Sequence, residues 1–286
     1  MIGNKRKKLL HAIFLYAALI IAIAALCFPV YWMVKSSLTP VEKILSKDVS
    51  IGITELDFSS YRNVWNQTDY AMNLDLKQYL LNSVFVVGVS TFISIVIATL
   101  GGYSLARFKY KKRDTIANGI LYVYMFPQMI LTTPLLMLII KLGLYNNLWS
   151  LIIVYCTFSL PYSIWMMRSY FNELPKELEE AAMVDGCNRL QAIWKVMFPL
   201  ALPGVAATVT YSFIMGWSNV IYPLSFITHE SKKLISIGFL SLISGDMTPW
   251  NGVMASAVIS SLPVVILFLF LQKYLVAGLA SGGVKS

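Results

Sequence analysis

Between Asn172 and Leu200 the sequence reads NELPKELEEAAMVDGCNRLQAIWKVMFPL, which puts Glu177, Glu179, Glu180 and Asp185 within about three helical turns. Carboxylates at that density can serve acid–base catalysis, hold a metal, or pair with bases on another surface. The first two need converging partners. The chain has 2 His and 3 Cys in all, with no HExxH, GxSxG or CxxC pattern and no cluster of ligating residues. Pairing with a partner needs only an acidic face turned outward. A helix resting on lipid headgroups would carry Lys and Arg on that face instead.

The spacing predicts how these residues are held. Pro175 suits a helix's first turn, where its missing N–H is not needed, and Glu177, Glu179 and Glu180 follow at the end where the helix dipole favours negative charge. Leu178, Ala181 and Ala182 fall at i, i+3 and i+4 and make a narrow apolar stripe. Gly186 tolerates the left-handed conformation that ends a helix. Asn188 can cap a second helix with Leu190, Ile193, Trp194 and Met197 as its apolar positions, until Pro199 stops it. The expected product is a helix, a sharp turn and a second helix, with small alanines that let a partner's backbone come close.

The scaffold that positions this element is apolar. Of 286 residues 57% are hydrophobic and 13% charged, and the mean hydropathy is +0.67, outside the range of soluble domains. Six stretches can cross a hydrocarbon core of about 30 Å: Leu9–Val34, Tyr79–Ala106, Thr115–Ile140, Trp149–Met167, Leu200–Tyr222 and Gly252–Leu271. Their backbone groups must be paired internally and the alternation of a barrel is absent, so the fold class is an all-α integral membrane protein with six transmembrane helices. Lys5, Arg6, Lys7 and Lys8 precede the first span, and Arg107, Lys109, Lys111, Lys112 and Arg113 crowd the link after the second. Both belong in the cytoplasm, which also places there Asn172–Leu200 and the carboxyl end with Lys273 and Lys285. The segment from Lys35 to Gln78, with Glu42, Asp48, Glu55, Asp57, Asp69 and Asp75, is external. Residues 1–78 form an anchor helix and extracytoplasmic loop, and residues 79–286 a five-helix core. The basic head and apolar run resemble a signal peptide, but the run is too long and lacks a small-x-small site, so it reads as a retained anchor.

Much is excluded. No span carries an ionisable residue in its interior, which argues against an ion-coupled carrier but leaves a facilitator for a polar solute as the alternative. There is no GxxxxGK[ST] loop, so a pump of this type takes its energy from another polypeptide. The net charge of +9 lies next to membrane spans and gives nucleic acid little weight as a partner. Cys27, Cys156 and Cys187 stand singly and read as packing residues.

Glu180-Ala181-Ala182, three residues, Gly186, nine residues, Val196, one residue, Phe198 and Pro199 resemble the "EAA" loop of the membrane subunits of ATP-binding-cassette importers. Asp185 before Gly186 and the ending YLVAGLASGGVKS are similar to the carbohydrate branch, in particular the maltose type, as is LPYSIWMMRSYF at Leu160–Phe171. The resemblance implies a non-catalytic permease subunit in the bacterial cytoplasmic membrane. It would pair with a second homologous permease subunit, two nucleotide-binding subunits that hold ATP and Mg, and an extracytoplasmic sugar-binding protein. Glu179, Glu180, Ala181, Ala182, Asp185 and Gly186 would form the coupling contact, and Gly282, Gly283, Val284 and Lys285 a tail reaching between the ATPase subunits. The stretch Pro223–Trp250 would touch the binding protein, although Trp250 also suits an interface anchor.

Proline breaks helices at Pro127, Pro134, Pro161, Pro199, Pro203 and Pro263, and broken helices often border translocation paths. Tyr122, Tyr124, Gln128, Tyr211, Trp217 and Asn219 lie near them. Aromatic faces stack on sugar C–H surfaces and amides exchange hydrogen bonds with hydroxyls, so these residues are candidates for a sugar path. Tyr and Trp equally mark membrane interfaces.

Overall fold

The computed structural model describes residues 2–44, 52, 56–66, 75–243 and 248–282. In chain order the helices are α1 (Ile2–Ser37), α2 (Val41–Ile44), α3 (Ser59–Asn66), α4 (Leu76–Arg107), α5 (Arg113–Tyr124), α6 (Gln128–Lys141), α7 (Leu148–Glu173), α8 (Glu177–Val184), α9 (Arg189–Leu200), α10 (Leu202–Trp217), α11 (Ile221–Phe226), α12 (Ile235–Ile243) and α13 (Trp250–Gly282). Among the described residues there is no strand. Four stretches are long and apolar enough to cross a membrane unaided: Leu10–Ser37, Leu76–Arg107, Leu148–Glu173 and Trp250–Val276. The number rises to 6 if the bent pairs α5–α6 and α9–α10 each count as a span.

Two of the expected spans are therefore not continuous. Thr115–Ile140 breaks by 94° between Tyr124 and Gln128. Pro127 holds an extended ψ of 120° there, and a residue before proline, here Phe126, is pushed away from helical geometry. Leu200–Tyr222 fails at both ends, since α9 and α10 meet at 81° and α10 stops at Trp217. Pro203 has no N–H to reach back and its ring would strike the carbonyl of Pro199, so the chain turns at Ala201. Pro134, Pro161 and Pro263 instead lie inside unbroken helices.

The chain divides into two compact units, 1–75 with 240–261 and 76–239 with 262–286. In the first, α1 shows apolar side chains all round, Leu26 at 78% and Phe14 at 74% exposure, as a helix facing lipid does. Its far end is tied to α3 by the Ser37 and Tyr61 hydroxyls at 2.6 Å and by the Asp57 N–H on the Leu38 carbonyl at 3.0 Å. The backbone N–H and hydroxyl of Ser59 both donate to Asp57 and hold its carboxyl below the usual range.

In the second unit α4, α7 and α10 pack closely. A Cβ on Gly102 would lie 2.7 Å from Cβ of Met167 and 2.8 Å from the Arg168 nitrogen, so glycine sets the distance between α4 and α7. Hydroxyl pairs join the helices, Ser94 with Ser159 at 2.7 Å and Ser163 with Ser212 at 3.3 Å. One buried cluster gathers Val86, Tyr155, Phe158, Tyr222 and Phe226. Another gathers Ala98, Tyr103, Met167, Phe171, Ile193 and Met197, so α9 is seated on the ends of α4 and α7.

Candidate functional site

The acidic stretch folds into a bent helix pair. Pro175 lies just before α8, whose first turn opens with the Glu179 and Glu180 N–H groups on the Lys176 carbonyl at 3.0 and 3.1 Å. The helix ends at Val184 because Gly186 adopts φ +90°, which lets the Gly186 N–H reach the Met183 carbonyl (3.1 Å) and the Cys187 N–H reach that of Ala182 (3.0 Å). Both orphan carbonyls are thus satisfied in a Schellman turn. No atom lies within 4 Å of where a Cβ on Gly186 would stand, so the conformation and not the space calls for glycine. Asn188 then caps α9 in a reciprocal box with Gln191, at 2.9 Å in each direction.

Pro199 does not stop the second helix. The turn Ile193–Met197 widens to π geometry, with the Phe198 N–H on the Ile193 carbonyl, and the helix runs on through Pro199 to Leu200. Widening shifts the carbonyl that the proline ring would otherwise meet.

The acidic row is split between two faces. Glu179 and Ala182 turn into the bundle, at 7% and 6% exposure. Glu177, Leu178, Glu180, Ala181, Val184, Asp185 and Gly186 remain exposed, Val184 at 87%. Leu178, Ala181 and Ala182 are consequently not one stripe: the first two face out and the third packs inward.

Glu179 is held by two residues far from it in the sequence. The Tyr103 hydroxyl donates to its Oε1, and Nε of Arg107 stands 3.5 Å from its Oε2. Arg107 also donates from Nη2 to the Leu174 carbonyl at 2.7 Å, so one side chain at the end of α4 grips both the end of α7 and the start of α8. Phe108 and Phe171 pack edge-on against Tyr103 at 5.6 and 5.7 Å. Removing one partner of a buried ion pair costs about 3–5 kcal/mol because the other is left unpaired. Glu179 thus ties the first turn of α8 to α4. Arg107 stood out in the sequence only as a marker of sidedness, and nothing local links it to a helix so far along the chain.

A second constellation lies at the break between α5 and α6. Tyr124 comes within 6.4 Å of Tyr211 and 5.8 Å of Tyr162, while Tyr162 and Tyr211 are 4.2 Å apart and Trp165 extends the group at 6.2 Å. Tyr162 and Trp165 were not expected; their i, i+3 spacing just after Pro161 was the available signal. The remaining expected residues lie apart. Tyr122 is 70% exposed, the Gln128 carbonyl accepts from the Tyr222 hydroxyl at 3.0 Å, Trp217 stacks on Phe213 of its own helix at 5.3 Å, and the Asn219 side chain accepts from the Tyr222 N–H at 3.1 Å. Asn219 thus braces the first turn of α11 from just outside it.

The stretch from Thr228 to Lys233 is fixed in place. Asn82 donates to the Ser231 and Lys233 carbonyls at 3.0 and 2.9 Å, Tyr79 donates to Glu230, and Asn146, at φ 56°, accepts from the Thr228 and His229 N–H groups at 2.5 and 3.1 Å. Asp246, Gly283, Val284 and Lys285 lie outside the described residues, and Gly282 ends α13.

Residues 98–281, which include both constellations, match the family described as binding-protein-dependent transport system inner membrane component. The inner membrane ABC transporter permease protein YcjP of Escherichia coli (strain K12) is 32% identical over 285 residues, covering 100% of each chain. The trehalose/maltose transport system permease protein MalG of Thermococcus litoralis is 32% identical over 282 residues, 98% of this chain and 99% of that one. The fold superimposes with a TM-score of 0.77 and 23% identity on a crystal structure of a bacterial ABC transporter involved in the import of the acidic polysaccharide alginate, covering 93% of this chain and 96% of that one.

Proposed function

The chain belongs to the binding-protein-dependent transport system inner membrane component family, and we propose on that basis that it forms half of the translocation path of an ATP-driven importer for a sugar or oligosaccharide. A bacterial cytoplasmic membrane holds it. Six spans, α1, α4, α5–α6, α7, α9–α10 and α13, leave both ends and α8 in the cytoplasm, in accord with the basic link Lys109–Arg113 on that side. The carbohydrate cargo is supported by relatives of nearly equal length whose names specify trehalose, maltose or diacetylchitobiose.

The observation that carries the mechanism is the division of α8 into a bound face and an open one. Glu180, Ala181 and Val184 face outward, where a nucleotide-binding subunit can seat against small side chains and a carboxylate. Glu179 faces inward and fastens the same helix to α4 and α7. When ATP closes the partner subunits, the displacement of α8 passes through Glu179, Tyr103 and Arg107 into α4, and the bundle hinges while the joint stays intact. ATP and Mg belong to the partners, and this chain hydrolyses nothing.

A second, homologous membrane subunit completes the path. The exposed apolar side chains around the α5–α6 break, Met125 at 75% and Met129 at 71%, suit that contact. The Tyr124, Tyr162 and Tyr211 rings line the sugar's way, and the pinned stretch 228–233 gives an extracytoplasmic binding protein a rigid surface. The assembly reconstituted in vesicles will accumulate sugar only with ATP and loaded binding protein. Sugar flux through this chain without any ATPase would contradict the proposal.

A further inference from the structure

We propose that the cleft between the α4–α5 link and the turn before α8 is a binding site for the phosphate group of an acidic phospholipid. The cleft, of about 680 Å³, is lined by Lys109, Lys111, Lys112, Arg113 and Lys176, with Tyr110 beside them. The single carboxylate there, Asp114, is already taken by Arg168 at 2.6 Å and Arg113 at 3.5 Å. Among the described residues no carboxylate pairs with Lys109, Lys111, Lys112 or Lys176. Four like charges gathered without counterions repel one another, and an anion in the cleft relieves that.

Depth selects the source of the anion. Lys109 follows the last residue of α4 by two positions, and Lys176 follows the last residue of α7 by three. The bond from Arg107 to the Leu174 carbonyl holds those two ends side by side, so the bases sit just beyond the apolar ends of two spans, at headgroup level. Marking sidedness needs bases in the link alone; it does not need Lys176, which arrives from a separate turn. Lys112 is held at φ 68°, where glycine or asparagine would be at ease, and no side chain caps the first turn of α5 that it precedes. The Arg113 N–H reaches back to the Tyr110 carbonyl at 3.4 Å, which leaves the Asp114 and Thr115 N–H groups to face a phosphate oxygen. A phosphodiester with acyl tails meets the ammonium groups with its head while its tails lie along the exposed side of α5.

The test is lipid binding by the full chain, purified in neutral detergent, stripped of lipid and titrated with phosphatidylglycerol or phosphatidylcholine, with retention read by native mass spectrometry. Phosphatidylglycerol is expected to bind, and Lys112→Gln and Lys176→Gln each weaken it about fivefold, the double variant more. Lys112→Gly removes the same charge while relieving the backbone, so it shows the same loss even if Lys112→Gln folds poorly. Lys273→Gln, in the last part of α13, leaves binding unchanged. Equal retention of phosphatidylcholine, or unaltered binding by the double variant, would overturn the proposal. Displacement of the lipid by equimolar inorganic phosphate would assign the site to a soluble anion and overturn it as well.

Discussion

Nε of Arg107 and Oε2 of Glu179 lie 3.5 Å apart with side chains only 5% and 9% exposed, joining the end of α4 to the first turn of α8. Neither residue belongs to the part of α8 that faces outward. The pair fixes how that outward part is presented, because with the Tyr103 hydroxyl it leaves α8 little freedom to rotate or lift away from the bundle.

Glu179→Ala leaves the buried Arg107 with the Leu174 carbonyl but no carboxylate, and is expected to destabilise the protein by about 3–5 kcal/mol. Tyr103→Phe removes one hydrogen bond to a charged group and costs about 1.5–3 kcal/mol. Glu179→Gln keeps an acceptor for Tyr103 and falls between wild type and Glu179→Ala. Thermal unfolding of the purified chain measures the order. In the reconstituted assembly, Glu179→Ala also hydrolyses more ATP per sugar moved, which a purely local stability loss would not produce.

At Gly186 the left-handed φ makes the identity of the replacement decisive. Asn tolerates that region and is expected to support near-normal uptake, Ala costs about 1–2 kcal/mol, and Pro, restricted to negative φ, abolishes uptake while the protein still inserts in the membrane. Uptake measured beside the amount of inserted protein gives the series.

Two glycines of α4 offer a matched comparison. Gly102→Ala drives a Cβ to within 2.7 Å of Met167 and is expected to cost about 1–3 kcal/mol, whereas Gly88 has nothing within 4 Å and Gly88→Ala is neutral or stabilising. Unfolding midpoints of the two variants check this directly.

Among the aromatic residues, Tyr162→Ala and Tyr211→Ala are expected to lower sugar uptake about three- to tenfold, from the loss of ring contacts worth about 0.5–1.5 kcal/mol each. Trp217→Phe keeps the stacking on Phe213 and leaves uptake unchanged. Sugar transported per ATP hydrolysed separates these effects from a change in the ATPase itself.

What the sequence reveals and what it conceals follow from range. The helical class, the Gly186 turn and the Asn188 cap are set by neighbours a few residues apart, and they were legible. The inward turn of Glu179 is decided by Tyr103 and Arg107 on another helix, and the periodicity of α8 alone does not show which of its faces is covered. Similarly, an apolar window averages across Met125–Pro127 and misses the 94° bend, although Pro127 marked the place. Trp217 and Asn219 also make local contacts, a stack on Phe213 and a bond from the Tyr222 N–H, that their spacing in the sequence did not show. The π turn before Pro199 arises because α9 keeps its packing on α4 and α7 past a residue that local rules treat as a stop.

The proposed coupling seats an ATPase subunit against the outward face of α8. Photoreactive residues placed at Val184, 87% exposed, and at Ala182, 6% exposed, in the assembled transporter test it most directly. Val184 is expected to yield an adduct with the nucleotide-binding subunit while Ala182 reacts only within its own chain. An adduct from Val184 to lipid alone, in an assembly that still transports sugar, would contradict it.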